Sequence, residues 1–154
     1  MNGWQRTIEE LHALESRLRS EGWETVATQA GDASFVPIGV GDDDWFGLSL
    51  TVPGDDADRI ERVVGRATLD EYDVFRRATD GRTYLVIRYA DADARVAVLV
   101  AATYDRQGAA PRTVARSAPD RGTLHTRVRR LDGTPVAEFT HEDHEPFFPG
   151  TGGD

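Results

Sequence analysis

Apolar positions at the front of the chain recur with a helical period. Trp4, Ile8, Leu11, Leu14 and Leu18 share one face, while Glu9, Glu10, Arg17 and Arg19 occupy the rest of the wheel. This spacing predicts a first helix, capped by Asn2 with Gln5 three residues on and stopped by Gly22. The period then shortens. Trp23 to Thr28 reads as a strand, Gly31-Asp32 as a turn and Phe35 to Ile38 as a second strand. In WFGLSLTV, Phe46, Leu48, Leu50 and Val52 alternate with Trp45, Gly47, Ser49 and Thr51, the pattern of a strand with one apolar face, which Pro53-Gly54 ends. Ala57, Ile60, Val63, Val64 and Ala67 then form the inward stripe of a second amphipathic helix, with Asp55 or Asp56 as its cap.

The second half of the chain is strand-rich. Asp80-Gly81 suits the positive φ angles of a two-residue hairpin turn, so Thr79 should lie opposite Arg82, Phe75 opposite Val86, Val74 opposite Ile87 and Asp73 opposite Arg88. Leu85-Val86-Ile87 and the run from Val96 to Ala102 lack polar alternation, as strands buried on both faces do, and the latter reads as the central strand. Asp105 to Gly122 is a long connection, with a short helix expected from Pro111 through Val114 toward Ala118. A second hairpin follows. If Asp132-Gly133 is its two-residue turn, Arg127 faces Glu138, Val128 faces Ala137, Thr126 faces Phe139 and Leu124 faces His141. The pattern predicts one α+β domain over residues 1–149 and a disordered tail over 150–154: a mainly antiparallel sheet of about five to seven strands, with the two helices packed on one face.

Composition adds a setting. The 154 residues carry a net charge of −9, all 18 basic residues are arginine, and aspartate outnumbers glutamate. Such a surface suits strong salt, because carboxylates stay hydrated and their repulsion is screened within about 3 Å at 1 M. A GC-rich genome, favouring arginine over lysine, is the competing explanation. The acidity argues against nucleic-acid binding, whose affinity comes from counterion release. No apolar run approaches the roughly 20 residues that cross a bilayer, and the first ten residues lack the basic and apolar regions of a signal peptide. A cytoplasmic location is therefore expected. With no cysteine and no lysine, thiolate and Schiff-base chemistry are excluded, and no nucleotide-binding or nucleophile-elbow motif occurs, so no cofactor is expected.

Two constellations carry candidate chemistry. In HEDHE, His141, Asp143 and His144 are ligand types that zinc or manganese accepts. Pro146 discourages the helix that would set both imidazoles on one face, and the hairpin register puts His125 on the opposite face from His141. The competing reading makes His141 a strand end, the carboxylates solvated, and Phe147-Phe148 an anchor for the tail. The second constellation is a basic segment: seven arginines from Arg106 to Arg130 against Asp120 alone give it +6, leaving −15 for the rest. Arg112 and Arg116, four apart on the expected short helix, and Arg127 and Arg129, on one strand face, could grip a carboxylate or phosphate bidentately. Alternatively they pair internally with Glu138 and the acidic tail.

Tyr72 to Arg76, Leu124-His125-Thr126-Arg127-Val128-Arg129, Phe139-Thr140-His141 and the closing Phe147-Phe148 resemble a group of small, acidic, uncharacterised proteins from halophilic archaea. The resemblance extends over most of the chain and implies a single soluble domain, with no catalytic residue to carry over.

Two short helices cannot cover both faces of a sheet whose middle strands are apolar throughout. A homodimer joined through the open sheet face is expected, and with it a non-enzymatic interaction or regulatory module. The alternative is a binder of a small anion, or an enzyme, using Arg112, Arg116, Arg127 and Arg129, with or without a metal at His141, Asp143 and His144.

Overall fold

The two runs that lack polar alternation lie side by side. In the structure, a computed structural model that describes residues 3–36, 47–79, 81–105 and 124–141, the elements are α1 (Gly3–Ser20), β1 (Glu24–Gln29), β2 (Asp32–Val36), β3 (Gly47–Thr51), α2 (Gly54–Val64), β4 (Glu71–Thr79), β5 (Arg82–Asp91), β6 (Val96–Asp105), β7 (Leu124–Arg129) and β8 (Pro135–His141). β5 and β6 pair antiparallel, and β6 takes β1 as its other neighbour, so β6 is an interior strand as expected. The fold is α+β. The single sheet of five to seven strands is corrected to two mixed sheets of four, ordered β1-β6-β5-β4 and β2-β3-β7-β8. Between β1 and β2 the chain crosses from one sheet to the other over Ala30 and Gly31 alone.

Alternation along β5 and β6 sorts their side chains into two cores. Leu85, Ile87, Tyr89, Val96, Val98 and Val100 face inward with Leu48, Leu50, Val52 and Val128 of the second sheet. Val86, Ala90, Ala97, Leu99 and Ala101 face outward against Leu11, Leu14 and Leu18 of α1. The alanines leave room for the helix, whose leucines fill the space above them. Each such leucine, fully buried, contributes about 1.5 to 3 kcal/mol. The sheet face for which a second subunit was expected is thus covered by the chain's own second sheet.

The helices do not share a face. α1 covers the outside of the first sheet, whereas Ala57, Ile60 and Val63 of α2 join the core between the sheets, where the helix packs near β1 and β8. The α2 cap is Pro53, without a side-chain hydrogen bond, and Asp55 and Asp56 lie in the first turn. Asp56 is engaged elsewhere: it accepts the Thr28 hydroxyl at 2.7 Å and pairs with Arg59, which fastens α2 to β1.

Both hairpin registers agree with the pattern. Thr79 opposes Arg82, Phe75 opposes Val86, Val74 opposes Ile87, and Asp73 both opposes Arg88 and forms an ion pair with it. In the second hairpin the loop differs. Leu131, Asp132 and Gly133 form a three-residue connection, with Gly133 at φ 91° and the Arg130 N–H donating to the Thr134 carbonyl at 2.9 Å. A bulge between Val128 and Arg129 takes up the extra residue, so from Val128 and Ala137 outward the expected pairs hold.

The short helix expected from Pro111, the anchor Phe147-Phe148 and the tail over 150–154 lie outside the described residues.

Candidate functional site

The outer face of the second sheet gathers the polar side chains that alternation excludes from the core. Along β7, Thr126 and Val128 are buried inward, so His125, Arg127 and Arg129 point outward. Pairing with β3 sets Arg127 beside Ser49 and Arg129 beside Thr51, and pairing with β8 sets Arg127 opposite Glu138 and His125 opposite Thr140. Gly47 is required at the start of β3, because its φ is +137° and a Cβ there would stand 2.0 Å from the His125 carbonyl oxygen. β3 and β7 approach closely at this end.

Arg127 forms an ion pair with Glu138, and its side chain is only 10% exposed. The Glu138 carboxylate already meets this guanidinium, so an incoming anion would have to share it or displace Glu138. Arg130, the next residue after β7 and Arg129, turns to α2, where it meets Asp58 at 2.7 Å and Glu61 at 3.8 Å. Arg127 and Arg130 of the basic segment therefore hold different partners. His125 Nδ1 lies 3.1 Å from the Thr140 hydroxyl.

Of the residues singled out in the sequence, Arg127 and Arg129 share one strand face as expected. Arg112, Arg116, Asp143 and His144 lie outside the described residues. His141 is the last residue of β8, opposite Leu124 and one position beyond the pair of His125 with Thr140. Among the described residues, no group of three or more histidine, aspartate or glutamate side chains is placed to hold a metal ion.

A feature that the pattern did not reveal is an open groove of about 1060 Å³ where β1 crosses to β2. Trp4 and His12 of α1, Thr28 of β1, Asp56 of α2 and Arg82 and Thr103 of the first sheet line it. Four of its polar residues are already engaged with one another in two pairs. Thr28 donates to Asp56, Arg82 Nε donates to the Thr103 hydroxyl at 3.2 Å, and that hydroxyl donates to the Thr83 carbonyl at 2.9 Å. Six residues drawn from five separate elements have no common motif, so nothing in the linear pattern marks them.

Two described aspartates, Asp91 at the end of β5 and Asp132 in the second hairpin loop, close turns. Asp91 accepts the backbone N–H groups of Ala94 at 3.0 Å and Thr68 at 2.9 Å, which hold its carboxyl below the usual carboxylate range. Asp132 accepts the Thr134 N–H at 2.9 Å and is lowered for the same reason.

A model described as a family of unknown function (DUF7529) matches residues 1–149. No curated protein and no solved structure matches. No described helix is long and apolar enough to cross a membrane.

Proposed function

We propose, from the premise that the chain belongs to the family of unknown function DUF7529, that it is a non-enzymatic interaction or regulatory module, homodimeric, working in the cytoplasm of a halophile. The observation that carries this reading is the distribution of the arginines. Several described arginines are matched one by one to separate carboxylates: Arg127 has Glu138, Arg130 has Asp58 and Glu61, Arg88 has Asp73, and Arg77 has Glu10. Paired charges of this kind shape and solubilise a surface. A catalytic or anion-binding site instead needs groups converging on a space for the ligand. The lysine-free, acidic composition supports the saline setting.

The competing reading is an anion binder or enzyme built on Arg112, Arg116, Arg127 and Arg129, with a metal at His141, Asp143 and His144. One experiment separates the two. The melting temperature of the full chain in about 2 M KCl is measured with inorganic phosphate, with zinc and with manganese, and the molar mass is measured by light scattering. We expect no stabilisation by any of the three and a mass twice that of the chain. A concentration-dependent rise in melting temperature with phosphate or a metal would replace the module with a ligand-binding protein.

A further inference from the structure

The first sheet ends in β4, a nine-residue strand whose only neighbour among the described residues is β5. Natural proteins protect such an edge, because its outward N–H and C=O groups are a template for another strand. β4 is long and carries an aromatic ring in the open. Phe75, its middle residue, is 46% exposed, and Leu131 in a turn is the other large apolar side chain exposed among the described residues. α1 packs on β1, β5 and β6 and leaves Phe75 uncovered.

We propose that two copies of the chain join by antiparallel pairing of β4 with β4 about a two-fold axis at Phe75, making one continuous eight-stranded sheet. This inference rests on the homodimeric reading above and assigns its interface. The sequence of the strand, EYDVFRRAT, is complementary to itself in this register. Acids occupy its first half (Glu71, Asp73) and arginines its second (Arg76, Arg77). About Phe75, each Asp73 faces Arg77 of the second copy, Glu71 faces Thr79, and the two Phe75 rings face each other. Within each copy Asp73 already pairs with Arg88 and Arg77 with Glu10. The joint therefore completes a row of alternating sign, Arg88, Asp73, Arg77 and Glu10, running from one copy into the next.

Backbone geometry permits this register. The two-residue hairpin makes Thr79 and Arg82 a hydrogen-bonded pair, so alternate residues down β4, among them Phe75 and Asp73, bond to β5, and Val74, Arg76 and Ala78 direct their backbone groups to the edge away from β5. Pairing about Phe75 matches Val74 with Arg76, both outward-directed. Phe75 then meets its copy in a non-hydrogen-bonded pair, the closer of the two kinds, with Cα atoms about 4.5 Å apart. The neighbouring registers are worse. Pairing about Arg76 opposes two guanidinium groups, and pairing about Val74 sets each Phe75 against an aspartate.

The absence of cysteine from the chain makes the register directly testable. Phe75→Cys should form a disulfide-linked dimer under mild oxidation. Glu71→Cys should not, because the two residues 71 would lie roughly 26 Å apart at about 3.3 Å per residue. Phe75→Glu, at an exposed position, should keep its circular dichroism and a cooperative melting transition, shifted down by the loss of the partner, and lower the mass in about 2 M KCl from two chains to one. A wild-type protein that is monomeric would overturn both this interface and the homodimeric reading. A wild-type dimer that survives Phe75→Glu, or that crosslinks equally at residues 71 and 75, would overturn the β4 interface alone. If Phe75→Glu fails to fold, the two cysteine variants still decide the register.

Discussion

Tyr89 of β5 spans the gap between the sheets. Its ring stacks on Phe139 of β8 with centroids 3.8 Å apart, and its hydroxyl lies 2.8 Å from the Thr126 hydroxyl of β7. Complete burial pushes the phenol well above its ordinary range, with the Thr126 hydrogen bond opposing only in part. The consequence for stability has a definite sign. An unfolded tyrosine loses its proton near pH 10 while the buried one keeps it, so above about pH 10 the unfolded chain binds fewer protons and stability falls as pH rises. Tyr89→Phe keeps the ring stack and removes the ionisable group. It should cost about 1 kcal/mol at neutral pH and make the alkaline decline shallower than in the wild type. Urea unfolding between about pH 7 and 10.5 measures both effects. Parallel decline of the two proteins would refute this account of Tyr89.

At the scale of elements, the closest constraint is the joint of β3 with β7. Gly47 begins β3 in a backbone conformation that side chains rarely adopt, with the His125 carbonyl where a Cβ would stand. Gly47→Ala should therefore strain both strands and destabilise the domain by more than about 2 kcal/mol. Gly31, in the crossing from β1 to β2, is the control, because a Cβ there meets nothing within 4 Å. Gly31→Ala should change stability by less than about 0.5 kcal/mol. Similar unfolding midpoints for the two variants would show that β3 can move away from β7 at no cost. The second hairpin teaches the complementary point: its loop is one residue longer than the dipeptide Asp132-Gly133 suggested, yet the bulge restores the pairing of Arg127 with Glu138. Register follows from which side chains must be buried, and the turn adapts to it.

For the whole molecule, the decisive term is charge. A net −9 on 154 residues sets acids against one another at every distance within the Debye length, which is about 10 Å at 0.1 M salt and 3 Å at 1 M. The paired arginines offset this locally, as Arg66 does for Glu24 and Arg19 for Glu15. The surplus acids have no such partner to spare, so the melting temperature should rise between about 0.1 M and 3 M KCl, and the domain should unfold when salt is removed. Thermal scans followed by circular dichroism check this. A melting temperature independent of salt would leave the composition to codon usage and withdraw the saline setting.

The sequence by itself marked most of the described elements and the local registers, although β2 begins at Asp32, where a turn was expected. Asp80-Gly81 and the two-residue period fix the partners of Phe75 and Asp73, and the period of burial places Arg127 opposite Glu138, because each such choice is made within about twenty residues of chain. It also marked β6 as apolar on both faces. Only the tertiary structure decided what covers that strand. The answer depends on parallel pairings of β1 with β6 and β3 with β7, Glu24 with Val96 and Leu48 with Thr126, which have no turn between them to announce the contact. The groove of His12, Asp56 and Arg82 was illegible for the same reason, since its residues meet only after the sheets have stacked. Backbone period and turn chemistry act over a few residues. Which apolar face meets which is settled by the burial of the whole surface at once.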